Sequence, residues 1–455
     1  MKVLLLSIKA ASRRKCVNKD LAGGMGTGTW VGNSIRARVF EWVKKKNVVL
    51  PEIATPYLAA IFKKNGWIVR FFDDADEENI PGEAADLVLI PVSIVDCEHE
   101  RLVIRRLKKQ GYYIGVYGTF ASVMPEFFLA EADFVIKGEP EAGALKIAAG
   151  TNLPQGILAV ESVADLDSLP FPDWRQFPIK KYSYSPALNR RPMLLALTSR
   201  GCPYSCSFYC PYPINSGKKW RIRSISNVLA ELEYLVGEFG ARAIDFRDPI
   251  FTFNRERTMD FAGQLIEKKL DLIWSCETRT DCLDKDLLKI MREAGLRHLN
   301  LGVESASEAV LIGSKRLPIK AVHQEEIINY CHKIGITVAA FYIIGLENDT
   351  RETIRQTINY AKKLNTLVAQ FTIGTPYPGT QFFAKMKEEG RLTTLDWPEY
   401  DTYNPVYRHQ YLTAAELLRL KEKAFISYYF RPAYLLRHMP KFIKEKIYEN
   451  FSHRR

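Results

Sequence analysis

Three cysteines stand close together in residues 197–212, Leu-Thr-Ser-Arg-Gly-Cys-Pro-Tyr-Ser-Cys-Ser-Phe-Tyr-Cys-Pro-Tyr. Cys202, Cys206 and Cys210 lie within nine positions, directly after a strand-like run that ends at Thr198. Cysteine sulfur is the usual ligand of iron in iron–sulfur clusters. Three thiolates can hold one face of a four-iron cube and leave one iron open to another ligand. The spacing therefore favours an iron–sulfur cluster.

A structural zinc site is the main alternative for these cysteines. Such a site needs four protein ligands at finger or ribbon spacing. The next Cys or His in the chain is Cys276, which is far too distant in sequence to complete either pattern.

Length and composition describe a globular protein with room for two domains and an appendage. The chain has 455 residues, of which 47% are hydrophobic and 12% aromatic. Eight cysteines, three of them bunched, do not form a disulfide framework, so we expect a reducing cytoplasm. We find no convincing secretory signal and no apolar run of about 18 residues that would predict a membrane-spanning helix.

The N-terminal third alternates strand-like and helix-like runs, which predicts a doubly wound parallel sheet. The predicted strands are residues 2–8, 67–72, 86–93, 112–117 and 133–137, and the predicted helices are 56–65 and 98–110. Between them lies a glycine-rich loop, residues 21–33, whose glycines lack the G-x-G-x-x-G spacing after a strand that a dinucleotide site requires.

The middle of the chain repeats the same alternation six times. The predicted strands are 193–198, 243–248, 272–277, 298–304, 338–345 and 368–372, with helices at 226–239, 261–269, 284–295, 322–334 and 351–364. Six units are too few for a closed eight-stranded barrel. Glu304 ends one of these strands, and a buried acid is costly unless it is paired. Asp248 and Arg279 end two other strands. Each of them could contact a ligand or form a structural ion pair.

The cysteine triplet after a first barrel strand, with an aromatic before the last cysteine, resembles the radical S-adenosylmethionine (SAM) superfamily. The resemblance implies a partial (β/α)6 barrel and a [4Fe–4S] cluster whose open iron binds SAM. Here three residues separate each pair of cysteines, whereas the family usually has three and then two. The extra residue leaves open whether Phe208 or Tyr209 faces the adenine.

The resemblance also implies a SAM-binding set in the barrel. Gly302-Val-Glu-Ser305 resembles the fourth-strand motif that meets the ribose or amino group of SAM, and Tyr342-Ile-Ile-Gly-Leu-Glu347 resembles the fifth-strand motif around adenine. The positions expected to contact SAM are Tyr209, Asp248, Arg279, Glu304 and Gly345.

The N-terminal domain resembles the Rossmann-like, flavodoxin-like cobalamin-binding domain that precedes many radical SAM barrels. Its two glycine-containing strand ends carry this likeness, and the positions expected to line the corrin are Ser93, Gly118, Thr119, Gly138 and Glu139. The Asp-x-His-x-x-Gly motif that donates a histidine to cobalt is absent. The absence of this motif is compatible with cobalamin binding that uses no histidine. It is equally compatible with a domain that kept the fold but lost the cofactor.

We expect four segments: an N-terminal domain (1–150), a proline-rich linker (151–190), the barrel (191–392) and a basic helical extension (393–455). Residues 401–455 hold eleven Lys or Arg against five Asp or Glu, a net charge of +6 out of +12. Interleaved aromatic and basic residues there suit either anionic lipid headgroups or packing on the barrel with a solvated basic face.

The resulting expectation is a cytoplasmic enzyme, which would be peripheral to the membrane if that extension meets lipid. It would cleave SAM reductively and functionalise an unactivated carbon by methylation, cyclisation or C–C bond formation, with cobalamin as a further cofactor. The substrate would be a small molecule or a lipid such as an isoprenoid, flavodoxin or ferredoxin would supply electrons, and no nucleic acid is expected. The alternatives are a cobalamin-independent radical SAM enzyme and a non-catalytic iron–sulfur protein.

Overall fold

The computed structural model describes residues 1–10, 19 and 21–439. Cys16 and residues 440–455 of the predicted basic extension lie outside the described residues.

The N-terminal domain is built on one parallel sheet. Its described strands run from edge to edge in the order Ile68–Ala75, Lys2–Ile8, Leu87–Pro91, Ile114–Tyr117, Phe134–Lys137 and Gly156–Ala159. The flanking helices are Ala54–Lys64, Cys97–Lys109, Thr119–Val123, Pro125–Leu129 and Pro140–Ala149. The strand order reverses beside Lys2–Ile8, and sheets of this kind bind ligands where their strands reach their carboxyl ends. The predicted doubly wound fold is confirmed.

Several elements of this domain were not predicted, namely the helices Ile35–Asn47, Thr119–Val123, Pro125–Leu129 and Pro140–Ala149 and the strand Gly156–Ala159. The edge strand Gly156–Ala159 pairs with Phe134–Lys137 although it lies in the predicted linker, and its four residues are too few to give a periodic signal. The helix Ile35–Asn47 begins at Ser34, whose side chain accepts a hydrogen bond from the Ala37 amide. Its apolar residues are mostly exposed, so the sequence carries no buried helical stripe there.

The second domain is a six-stranded parallel sheet, counted over the described residues, whose strand order follows the chain. From first to sixth the strands are Met193–Ala196, Ala243–Phe246, Ile273–Thr278, Leu296–Glu304, Thr337–Ile344 and Val368–Ile373. The helices between and after them are Ile225–Phe239, Arg255–Lys268, Lys285–Glu293, Glu308–Gly313, Ala321–Lys333, Arg351–Leu364 and Gln381–Glu388. The first and sixth strands remain edges, which confirms the predicted partial barrel.

The helix Ala414–Tyr429, which we call the terminal helix, packs against the sixth barrel strand. Thr413 and Glu416 form a capping box at its start. Leu417, Phe425 and Tyr428 are buried. These three side chains belong to the core, and this helix therefore packs on the barrel. Within the described part of the chain, no helix is both long and apolar enough to cross a membrane.

Candidate functional site

A buried carboxylate fixes the start of the cysteine-bearing segment, residues 197–212, which we call the cluster loop. Asp248 accepts hydrogen bonds from the Thr198 amide (2.9 Å), the Thr198 hydroxyl (2.7 Å) and the Ser199 hydroxyl (2.6 Å). Burial raises the pKa of Asp248, and these hydrogen bonds oppose that shift. Because Asp248 is fully buried and its oxygens are occupied, this geometry supports a positioning role rather than a contact with SAM.

The three cysteines follow on one tight segment. A 3₁₀ turn, Ser205–Phe208, brings the Cys210 amide to the Cys206 carbonyl at 3.0 Å, and the Cys202 amide donates to the Gly217 carbonyl at 3.2 Å. Burial raises the pKa of all three thiols, most strongly that of Cys210. Iron must therefore displace protons when it binds.

The thiols suit a cluster better than a single ion. Among the described residues, no group of three or more His, Cys, Asp or Glu side chains is arranged to hold one metal ion. In a four-iron cube each cysteine binds its own iron, so the three sulfurs need not converge on one point. The donor set and its spacing therefore fit the implied [4Fe–4S] cluster.

The two aromatic residues before Cys210 face different surroundings. Phe208 is buried and packs on Phe382, with ring centroids 5.5 Å apart. Tyr209 lies among the charged groups: burial raises the pKa of its hydroxyl well above the usual value, and Glu304 adds to that shift while Arg316 opposes it. Tyr209, not Phe208, is thus the aromatic on the polar side of the cluster loop.

Glu304 ends the fourth barrel strand in an unusual conformation. Its φ of 65° lies in the left-handed region, which a non-glycine residue adopts at a cost, and such outliers gather at functional sites. The carboxylate turns back over Gly302, where an added Cβ would lie 2.6 Å from Glu304 Oε1. A side chain at Gly302 would displace this carboxylate.

Arg316 is the cation beside Glu304, and sequence reasoning missed it. Its guanidinium lies 3.5 Å from Glu304 Oε1 and donates to the Gly302 carbonyl at 2.5 Å. Burial raises the pKa of Glu304, whereas Arg316 and Arg279 oppose that shift. Arg316 also lowers the pKa of the Cys206 thiol against the larger effect of burial. A search for a cation to balance the strand-end acid would have pointed to Arg316.

Arg279, predicted to contact SAM, is held by its neighbours. It forms a two-bond pair with Asp281 at 2.8 and 2.9 Å, and its guanidinium lies 4.3 Å from the centroid of the Tyr204 ring. The Tyr204 hydroxyl is 3.3 Å from Cys282 Sγ. Arg279 thus contributes positive charge near the cysteines while its hydrogen bonds are directed to Asp281.

Gly345 follows the fifth strand with a φ of 74°, next to a buried acid. Asp349 accepts the Gly345 amide at 2.9 Å and the Leu346 amide at 3.2 Å. The Gly345 carbonyl accepts the Tyr407 hydroxyl at 2.7 Å. The turn is therefore rigid, and its shape depends on Asp349.

The carboxyl edges of the two sheets face each other across the cluster loop. Arg200 forms a two-bond ion pair with Glu141 at 2.6 and 3.0 Å, joining the barrel domain to the N-terminal helix Pro140–Ala149. The Asn215 side chain donates to the Thr119 hydroxyl at 3.2 Å. Any ligand bound at the end of the N-terminal sheet would therefore lie next to the cluster loop.

The side chains expected to line a corrin at this edge have partners within the chain. Ser93 donates to the buried Glu100, Thr119 donates to the Gly23 carbonyl at 2.9 Å, and Glu139 pairs with Arg221. The pair of Glu139 with Arg221 joins the N-terminal domain to the barrel domain, and the other two contacts lie within the N-terminal domain.

The two glycines at this edge are required by the backbone of the chain itself. Gly118 and Gly138 have φ angles of 131° and 119°, conformations that favour glycine. An added Cβ would lie 2.6 Å from the Val92 and Val160 carbonyl oxygens respectively. Contacts within the chain therefore account for both glycines, and the cobalamin-binding roles of the predicted positions stay predictions.

Comparison with known proteins identifies a family for the barrel domain and relatives that match most of the chain. The sequence profile of the Radical SAM superfamily matches residues 197–361. An uncharacterized methyltransferase of Pyrococcus horikoshii is 34% identical over 277 residues, covering 60% of this chain and 59% of its own. The anaerobic magnesium-protoporphyrin IX monomethyl ester cyclase of Rubrivivax gelatinosus is 29% identical over 378 residues, covering 74% of this chain and 66% of its own. The chain thus spans less than two thirds of either relative.

The fold has a solved counterpart. The radical S-adenosylmethionine methyltransferase TsrM of Kitasatospora setae, whose structure holds cobalamin and a [4Fe–4S] cluster, superposes with a TM-score of 0.62. The match is 16% identical and covers 93% of this chain and 85% of that chain. At this identity the likeness shows the fold.

A partial barrel with three cysteines after its first strand, preceded by a doubly wound sheet, defines the class. The chain carries a radical SAM domain, which implies a [4Fe–4S] cluster and SAM as its ligands. Enzymes of this superfamily act on small molecules and draw on an electron donor.

Proposed function

We propose that this protein is a radical SAM enzyme that functionalises an unactivated carbon of a small molecule, by methyl transfer or by C–C bond formation. The arrangement of Cys206, Tyr209, Glu304 and Arg316 on one polar surface at the strand ends carries the proposal. The methyltransferase and cyclase names of the relatives support both outcomes.

Each residue of the site then has a physical task. Cys202, Cys206 and Cys210 bind three irons, and the fourth iron is left for SAM. When bound, the cluster and SAM would supply a 5′-deoxyadenosyl radical, with methionine as the leaving group and one electron from a donor such as flavodoxin or ferredoxin. Glu304 accepts hydrogen bonds from the ribose or amino group, and the Gly345 turn presents backbone to the adenine. The protein supplies positioning and exclusion of water, and the cofactors supply the chemistry.

Cobalamin is the proposed second cofactor, supported by the shared fold and by the position of the N-terminal strand ends beside the cluster loop. A methyl group carried by cobalt would be its contribution. A cobalamin-independent radical SAM enzyme is the second candidate, because Ser93, Thr119 and Glu139 are already engaged within the chain.

Anaerobic reconstitution with iron, sulfide and cobalamin tests the proposal. We expect 5′-deoxyadenosine after adding SAM and dithionite, and retention of cobalamin through gel filtration. S-adenosylhomocysteine in addition would support methyl transfer, and deoxyadenosine without retained cobalamin would support the second candidate. Absence of SAM cleavage by a protein that holds its full iron complement would contradict both.

A further inference from the structure

The interior face of the barrel sheet is polar across four neighbouring strands. In register, Asp245 lies beside Ser275, Ser275 beside His298, and His298 beside Thr337. A second row follows toward the carboxyl end, where Glu277 lies beside Asn300 and contacts Arg247. Barrel interiors are ordinarily layers of Val, Ile and Leu. Here polar side chains take these positions on four strands, while Leu195 of the first strand lies beside Asp245.

The two rows contain two hydrogen-bonded groups, which together we call the lumen column. In the first group, Ser275 donates to Asp245 at 2.6 Å. In the second group, His298 contacts Thr337 at 2.7 Å and Asn300 at 3.2 Å, and Tyr184, from the segment before the barrel, donates to Asn300 at 2.9 Å. Thr337 is the first residue of its strand, so the second group reaches the amino-terminal end of the column.

The column opens at the other end, next to the cluster loop. Arg247 donates to Glu277 Oε1 at 2.6 Å, and the Tyr212 hydroxyl donates to Glu277 Oε2 at 3.1 Å. Tyr212 belongs to the cluster loop, two residues beyond Cys210. The Glu277 side chain is 18% exposed, whereas those of Asp245 and Arg247 are 0% and 4% exposed. Glu277 is thus the member of this charged group that a ligand can reach.

Around Arg247, two carboxylates meet one cation. Two carboxylates, Asp245 and Glu277, share the single guanidinium of Arg247, at 3.5 and 2.6 Å. Asp245 Oδ2 is buried and accepts no hydrogen bond from the described residues. Burial raises the pKa of Asp245 to about 6, so at neutral pH the cost of its charge remains. A buried charge that lacks full compensation is expensive.

We propose that the open end of the lumen column binds the substrate of this enzyme through a cationic nitrogen, with Glu277 as its direct partner. The inference rests on the proposed function and names the substrate class for the same site. A substrate ammonium or amidinium beside Glu277 supplies the missing positive charge and uses the lone pairs that Arg247 and Tyr212 leave on the carboxylate. Polar and charged residues of this kind do not suit an isoprenoid chain, so the lipid expectation loses its support.

Ligand-observed NMR titration of the anaerobic, iron- and SAM-loaded protein tests the inference. The probes are benzylammonium, benzyl alcohol and benzoate, which share a ring and differ in the charge of the head group. We expect benzylammonium to bind at least about tenfold more tightly than benzyl alcohol, and benzoate to bind most weakly. Glu277→Gln should reduce that preference to about twofold or less, since the amide carries no charge.

Two further variants separate a binding role from a structural one. Glu277→Asp keeps the charge and should retain the preference, while Glu326→Gln alters an exposed carboxylate that pairs with Lys285 and should leave it unchanged. Equal binding of benzylammonium and benzyl alcohol, no binding of benzylammonium, or a preference that survives Glu277→Gln would each overturn the inference. Reductive SAM cleavage measured on the same samples distinguishes this failure from that of the proposed function, because cleavage without the ammonium preference would contradict only the substrate class.

Discussion

Arg316 lies 3.5 Å from Glu304, and the two side chains are 7% and 12% exposed. The pair joins the loop after the helix Glu308–Gly313 to the end of the fourth barrel strand. Because Arg316 also donates to the Gly302 carbonyl, it holds both the backbone and the carboxylate of the strand end. The geometry of the predicted SAM contact therefore depends on a cation outside the strand motif.

Removing that cation should destabilise the protein. Arg316→Ala leaves the buried Glu304 uncompensated, and we expect the free energy of unfolding to fall by about 3 kcal/mol in urea titrations of the metal-free protein. Arg355→Ala breaks a pair with Glu352 whose side chains are 70% and 54% exposed, and should cost less than about 1 kcal/mol. Equal losses for the two variants would contradict the importance of burial at this pair.

A double variant tests whether the uncompensated charge of Glu304 causes that loss of stability. Arg316→Met with Glu304→Gln removes both charges, so we expect it to be more stable than Arg316→Ala. Isothermal titration with SAM on the reconstituted protein should show weaker binding for both variants. Unchanged SAM affinity would argue that Glu304 does not contact SAM.

Local pattern was sufficient to predict the strands and the cluster loop, because each barrel strand is an apolar run and the cysteines are adjacent in sequence. It was insufficient for Arg316, since a cation in a loop acquires meaning only when the fold brings it to Glu304. The same holds for the lumen column: the register of four strands aligns Asp245, Ser275 and His298, and no single strand reveals that alignment. Single residues at strand ends were therefore predictable, and their partners were not.

Iron binding should depend on the three cysteines of the cluster loop. We expect the reconstituted protein to hold about four irons per chain, and Cys206→Ser to fall well below that value, because a serine oxygen is a poor ligand for a cluster iron. Iron analysis and the visible absorption of the cluster provide the measurement. Cys282→Ser is the matched control, since the hydroxyl preserves the contact with Tyr204 and Cys282 is not an expected ligand. Loss of iron from the control would instead make Cys282 part of the site.

The glycine-rich segment should be sensitive to a single methyl group where it meets the cluster loop. At Gly23 the φ is 64°, and an added Cβ would lie 2.6 Å from the Tyr212 amide nitrogen and 2.9 Å from the Pro211 carbonyl carbon. Both obstacles are backbone, so we expect Gly23→Ala to lower the free energy of unfolding by about 1–3 kcal/mol. It should also slow SAM cleavage, since Pro211 and Tyr212 follow Cys210 directly.

Gly237 provides the control for that substitution. It lies within the helix Ile225–Phe239, and an added Cβ would meet nothing within 4 Å. Gly237→Ala should therefore stabilise the protein by about 0.5–1 kcal/mol through helix propensity. If Gly23→Ala proved as stable as wild type, the glycine-rich segment would not pack on the cluster loop as the structure has it.

The stability of the turn at Gly345 should change with pH through Asp349. Burial raises the pKa of Asp349 to about 6, against the opposing effect of its hydrogen bonds with Thr353, Gly345 and Leu346. Between about pH 4 and pH 6 the folded state then binds more protons than the unfolded chain. The free energy of unfolding therefore falls as pH rises through this window, by up to about 3 kcal/mol from this group alone.

Urea titrations of wild type and Asp349→Asn from pH 4.5 to pH 7.5 measure this contribution. Asparagine cannot ionise but can still accept the Gly345 and Leu346 amides, so the stability of wild type relative to the variant should decrease as pH rises. Asp284 gives a control without change in this range, because hydrogen bonds from Arg255 lower its pKa and its contribution is lost only as pH falls below about 4. A constant difference between wild type and Asp349→Asn across the range would show that Asp349 ionises in the folded protein as readily as in the unfolded chain.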